Sequence, residues 1–153
     1  MGRIVSINLS RGKGTPKSPV EEALLIENLG VEGDAHAEPG IRQVSLLSME
    51  SIEGSRAVLA ERAREASVEL EPGIFAENLT TEGIDLSALE LGTLLEVGES
   101  IRLRVSKIGK ECHRGCVIFR KVGDCIMPRQ GIFCEVLKGG RIRKGDSIER
   151  ITG

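Results

Sequence analysis

The run Ile101-Arg102-Leu103-Arg104-Val105 alternates apolar and cationic side chains residue by residue. A period of two puts Ile101, Leu103 and Val105 on one face of a strand and both arginines on the other. Leu94-Leu95-Glu96-Val97 precedes it, and Gly98-Glu99-Ser100 supplies the short, glycine-bearing connection of a hairpin. A hairpin with one apolar face has to bury that face against more structure, which biases the whole chain toward sheet. Arg3 to Asn8 predicts a first strand, and Gln43 to Leu47 a buried one. Arg141 to Arg143 and Ser147 to Ile151, joined by Lys144-Gly145-Asp146, predict a closing hairpin. Val20 to Leu29 is apolar enough for a strand or a short helix, and periodicity does not separate the two over so few residues. Gly30 to His36 reads as a loop.

Helical signals are fewer. Ser48 fits the N-cap of a helix over Met49 to Ala66, with Glu50 and Glu53 near its positive end. Ile52, Leu59, Ala63 and Ala66 fall on one face of that helix, while Gly54 weakens its middle. Pro72-Gly73 marks a turn before Phe75 to Leu79. After Pro128, Ile132, Phe133, Val136 and Leu137 have helical spacing, and Gly139-Gly140 ends the element. The prediction is one domain over residues 1–153, mostly β with a few helices, built as a small β-barrel.

Several function classes are poor fits. The net charge is −2, too small to attract nucleic acid or an anionic membrane strongly. Three Phe and no Trp or Tyr leave almost nothing on which bases could stack. No apolar stretch approaches a membrane span, and no secretion signal opens the chain. Met1-Gly2-Arg3-Ile4-Val5-Ser6 fits the loose myristoylation pattern, but Ile4, Val5 and Ile7 read better as strand. The expected compartment is the reducing cytoplasm, where cysteines serve as ligands or catalysts more often than as disulfides.

Two stretches carry chemistry. The loop from Ser10 to Pro19 resembles a phosphate-binding loop only superficially, because Pro16 stands where that pattern needs glycine before its Lys-Ser. A plain basic loop is the better reading, with Lys13 and Lys17 as the cations that would meet a phosphate. The second stretch is the stronger one. All four cysteines lie between Cys112 and Cys134, and His113 adjoins the first. Lys107, Lys110, Arg114, Arg120 and Lys121 flank them, and positive charge raises the thiolate fraction of a nearby thiol. Sulfur chemistry or a thiophilic metal is implied. Cys112, His113, Cys116 and Cys125 could also hold zinc or an iron–sulfur cluster, although their spacing departs from the usual paired motifs. Cys116 doubles as a candidate resolving thiol.

In order along the chain, Gly33-Asp34-Ala35-His36, Arg42-Gln43-Val44-Ser45-Leu46-Leu47-Ser48, Gly73 to Ile84 with its Glu77-Asn78-Leu79-Thr80-Thr81-Glu82-Gly83 core, and Cys112 resemble the MOSC domain. That domain ends the molybdenum cofactor sulfurases and stands alone in many small bacterial proteins. The resemblance runs from about Arg3 to Ile151. It implies a β-barrel and a role in molybdenum or metal–sulfur chemistry. Cys112 then corresponds to the cysteine that carries sulfane sulfur as a persulfide or ligates molybdenum in molybdopterin. Asp34, His36, Arg42, Glu77 and Asn78 correspond to the polar residues of the cofactor pocket. The chain lacks the pyridoxal-phosphate domain of the full sulfurases, so pyridoxal phosphate would reside in a partner such as a cysteine desulfurase or a cofactor-biosynthesis protein.

Each candidate has a plainer reading. Cys112 competes with a buried structural thiol. Arg42 offers a fork suited to phosphate, against a surface ion pair. Asn78 suits a pterin edge, against an amide that stabilises a turn. Asp34 and His36 fit ligand binding or proton relay, yet Gly-Asp is also turn chemistry. Cys134, beside Phe133, reads as core. The competing functions are sulfur transfer, a non-catalytic molybdopterin-binding or insertion module, and a structural zinc domain.

Overall fold

In the computed structural model the described residues are 2–10, 17–35, 37–53, 77–108 and 131–151. They form eleven strands. Seven close a barrel. Around the ring run β1 (Gly2–Leu9), β11 (Ser147–Arg150), β7 (Leu94–Val97), β8 (Ile101–Ile108), β9 (Ile132–Lys138), β5 (Val44–Ser48) and β6 (Leu79–Glu82), which pairs again with β1. All of these pairings are antiparallel except β5 with β6. β2 (Ser18–Val20) folds back on the far half of β1. A second, three-stranded sheet orders β10 (Gly140–Arg143), β3 (Glu22–Ile26) and β4 (Gly30–Val31).

The amphipathic hairpin folds as its alternation requires. Ile101, Leu103 and Val105 are buried, whereas Arg102 and Arg104 are exposed beside Glu96 and Glu135. The interior is one apolar cluster that includes Ile4, Ile7, Leu46, Leu79, Leu95, Leu103 and Ile148. Leu25, Val31 and Ile142 belong to the same cluster, so the small sheet packs on the barrel and shares its core. Leu86 and Leu89 join it from the 3-10 helix Leu86–Ala88 and the residue that ends it.

Ser48 is the N-cap expected of it. Its Oγ accepts the Ser51 N–H at 3.1 Å, and residues 49–53 are helical. The remainder of the expected helix, and Pro72 to Ala76, lie outside the described residues. Val20 to Leu29 resolves as strand, through the end of β2 and all of β3.

Two expectations are corrected. Residues 132–137 are strand β9, not helix. Ile132 and Cys134 join the core while Phe133, on the opposite face, is buried as well. A strand covered on both faces loses the alternation that identifies it. The closing hairpin is also not one: β10 pairs with β3, and β11 with β7 and β1. The turn between them exists, with Asp146 Oδ2 accepting the Arg143 N–H at 2.8 Å. Its backbone, however, bonds across to β1, through Gly145 N to Ile4 O and Ile4 N to Asp146 O. That draws the two strands into different sheets.

Gly30 shows how closely the small sheet meets the barrel. It sits at φ +131°, and a Cβ there would lie 2.4 Å from the Gln43 carbonyl oxygen. Gly30→Ala is therefore expected to destabilise the fold by roughly 2–3 kcal/mol, from overpacking and backbone strain together. Urea unfolding measures it, and a midpoint equal to that of the parent would contradict this packing.

Candidate functional site

A bulge in β1 sets up one side of the site. Ile4 pairs with Thr81, but Ser6 pairs with Thr80, so the register shifts across Val5. After the shift Ile7 still faces inward with Leu79, and Ser6 and Asn8 share the outer face with Thr80. These polar residues are buried. Their hydrogen bonds run in one direction: Ser6 Oγ donates to Asn8 Oδ1 at 2.7 Å, Asn8 Nδ2 to Thr80 Oγ1 at 3.0 Å, and Thr80 Oγ1 to Glu77 Oε2 at 2.9 Å. Glu77 is 0% exposed. A carboxylate so buried depends on donors aimed at it, and this chain supplies one.

Asn78 braces the same region. Its Oδ1 accepts the Ser45 N–H at 3.0 Å and the Ser45 hydroxyl at 3.2 Å, while its Nδ2 donates to Asn8 O at 3.2 Å. Its backbone repeats the connection, with Asn8 N donating to Asn78 O at 2.6 Å and Asn78 N to Ser45 O at 3.0 Å. One amide thus ties β1 to β5 at the start of β6. Atoms that a pterin would need are already engaged within the protein. Thr81 Oγ1, on the inward face beside Leu79, is the buried side-chain atom without a partner among the described residues.

Asp34 is also engaged. Lys17 Nζ lies 2.7 Å from its Oδ1, both side chains fully buried, and the Ser10 N–H donates to the same oxygen at 3.0 Å. Ala35 N donates to Ser10 O at 2.7 Å. The expected plain basic loop is therefore corrected at Lys17, which is a buried partner and not a surface cation. A buried ion pair does little for net stability, but breaking one strands the other charge.

Arg42 differs from these. It is exposed, and it makes no hydrogen bond or ion pair with the described residues. Its neighbours are held. Gln43 is buried, with Nε2 donating to Asn28 Oδ1 at 3.1 Å and Gly40 O at 2.9 Å, and with Oε1 accepting the Val136 N–H at 3.0 Å. Val44 pairs with Cys134, so continued pairing would set residue 42 against Val136. The Gln43 amide takes that place in the ladder and leaves Arg42 outside it. On the other side, Ser106 Oγ donates to Ile41 O at 2.5 Å, with Phe133 O at 3.2 Å as its second acceptor. Sequence reasoning missed Gln43 and Ser106. A glutamine directly after a loop arginine, and a serine interrupting an alternating strand, were the available signals.

Cys112, His113, Cys116, Cys125 and His36 lie outside the described residues. The segment that contains the four at 112–125 leaves the barrel at Ile108 and returns at Ile132, and those two residues are cross-strand partners. It therefore begins and ends at one point on the rim. Cys134, in contrast, is 0% exposed and belongs to the core, as expected. Burial, and after it the neighbouring Glu135 carboxylate, pushes its thiol far above the ordinary range. Such a thiol is inert.

A closed seven-stranded barrel with a polar motif on its outer face defines a class of small β-barrel domain. The MOSC domain family model matches residues 32–149, and the chain belongs to the MOSC domain family. Among solved structures it resembles YiiM from Geobacillus stearothermophilus (TM-score 0.72, 21% identity, covering 99% of this chain and 76% of that one). YiiM from Escherichia coli matches with TM-score 0.68 at 21% identity, over 99% of this chain and 70% of that one. The YuaD protein from Bacillus subtilis matches with TM-score 0.67 at 17% identity, over 97% and 94%. At these identities the likeness concerns the fold. No curated protein matched the sequence. No helix among the described residues is long and apolar enough to cross a membrane.

Lys17→Met is expected to cost about 3–5 kcal/mol by stranding Asp34, read from the urea midpoint; a loss under 1 kcal/mol would mean the pair is not buried in solution. Cys134 yields a second test. Its raised pKa means that the unfolded thiol ionises first, so its contribution is intact at neutral pH and declines as pH rises past about 8.5. Stability should fall over that range more steeply than in Cys134→Val, and iodoacetamide at pH 8 should leave native Cys134 unmodified.

Proposed function

We propose that this protein takes up sulfane sulfur on Cys112 and delivers it to the molybdenum cofactor, which is its substrate. A cysteine desulfurase, carrying the pyridoxal phosphate, is the donor that the chemistry requires. The Cys112 thiolate attacks the terminal sulfur of the donor's persulfide, the donor's S–S bond breaks, and its thiolate leaves. Lys107 and the basic residues that surround Cys112 in sequence favour the thiolate. Reducing conditions keep such a thiol available, which supports a cytoplasmic setting for the reaction.

The observation that carries this reading is Arg42, an exposed guanidinium with no partner among the described residues, on a segment bonded to both strands that bracket the cysteine region. Cys112 is four residues past Ile108 in the sequence, a reach of at most roughly 14 Å. A fork-shaped cation on a segment tied to those same two strands suits the phosphate of molybdopterin. Membership of the MOSC family supports the same chemistry. Glu77 and Asn78 then serve the pocket by bracing its wall. Asp34 fixes the turn that leads to His36, the candidate for proton handling there. In this reading Cys116 serves as the resolving thiol, and His113 and Cys125 are further thiophilic candidates in the same stretch of sequence.

The protein incubated with a cysteine desulfurase and cysteine, then digested and analysed by mass spectrometry, should carry one extra sulfur atom on Cys112. Dithiothreitol should remove it, and Cys112→Ser should not acquire it. Molybdopterin bound without any sulfur on Cys112 would replace this reading with that of an insertion module. Stoichiometric zinc that is needed for folding would replace it with a structural metal domain.

A further inference from the structure

The strand β8 contains an irregularity at Ser106. Val105 pairs with Cys134 and Lys107 with Phe133, so Ser106 has no cross-strand partner of its own. Its hydroxyl reaches instead to Ile41 O, 65 residues away in sequence. The segment it holds is only half covered, because Ile41 is 50% exposed and Arg42 is exposed as well. Fixing backbone costs conformational entropy, and only the covered half of Ile41 offsets it in apolar burial. What the bond does accomplish is to hold the residue before Arg42, while Gln43 holds the residue after it.

We propose that Ser106 is a positioning residue for Arg42: by holding the Ile41 carbonyl it fixes the backbone from which the Arg42 side chain reaches the oxygens of a phosphate group. The inference rests on the reading of Arg42 given above and adds the residue that makes its contact specific. A guanidinium binds phosphate best through two parallel N–H donors, so its plane has to be set as well as its position. A backbone fixed at both neighbours leaves the side chain its own rotamers but limits the space they sweep before the ligand arrives, which lowers the entropy lost on binding. The bulge puts the serine on the strand that leads into the cysteine segment. Arg42 is thereby tied to the frame from which that segment departs.

The test is binding of inorganic phosphate to the full chain at low salt, followed by NMR or calorimetry, with urea unfolding of each variant in parallel. Arg42→Ala should abolish binding. Ser106→Ala should weaken it by roughly three- to tenfold, the scale of re-ordering one long side chain, with the urea midpoint little changed. Ser106→Thr, which keeps the hydroxyl, should restore the affinity. In the Arg42→Ala background, Ser106→Ala should have no further effect. Should Ser106→Ala fail to fold, Ser106→Cys keeps the volume with a weaker donor and takes its place. Full affinity in Ser106→Ala beside loss in Arg42→Ala would overturn the positioning role alone. Wild-type affinity in Arg42→Ala would overturn the anion contact itself, and this inference with it.

Discussion

The short ladder between the first and last strands decides whether this chain has an interior. Gly2 pairs with Ile148 and Arg3 with Ser147, and the turn backbone at Gly145 and Asp146 adds two bonds to Ile4. With that seam closed, every barrel strand has neighbours on both sides and no barrel edge is left for another chain to join. The seam needs a glycine, because a Cβ on Gly2 would lie 2.7 Å from the Glu82 carbonyl. Ile4, Ile148, Leu95 and Val97 face the same core, so their burial is gained only once both ends of the chain are in place. Closure and core are one event.

Closing the barrel leaves its outer face to be used, and the β1 bulge decides how. Without the shift at Val5, Ile7 and Asn8 would exchange faces and an asparagine would enter the apolar core. With it, Asn8 meets Thr80, and Glu77 gains the Thr80 hydroxyl. Most of the motif that marks the family therefore works as a brace: Asn78 ties two strands, Thr80 steadies a carboxylate, and Leu79 fills the core. The groups left to meet a ligand are those on the rim.

What could be read from the sequence followed from how local the cause was. The hairpin at 94–105 was legible because its alternation and its glycine turn lie within a dozen residues. Ser48 was legible because a cap depends on the next turn only. β9 was misread because Phe133 is covered on the face where a polar residue was expected. The final two strands were identified but wrongly paired, since what separates them is a contact with β1 at the opposite end of the chain. The resemblance singled out candidate residues, but what each does depends on contacts across the fold. Nothing local distinguishes Asn78, engaged on three sides, from Arg42, engaged by none of the described residues.

That difference bears on how the rim is organised. The loop with Arg42 hangs from β9 through Gln43 and from β8 through Ser106. These are also the strands between which the cysteine segment leaves and returns, at the paired residues Ile108 and Ile132. Two parts of the chain with no sequence proximity thus share one mechanical base. A shift in the β8–β9 pairing would move the Arg42 loop and the two attachment points, Ile108 and Ile132, together. For the reaction proposed above, which would have to bring a sulfur atom and an anion-bearing substrate to one place, a common base is the arrangement that favours it.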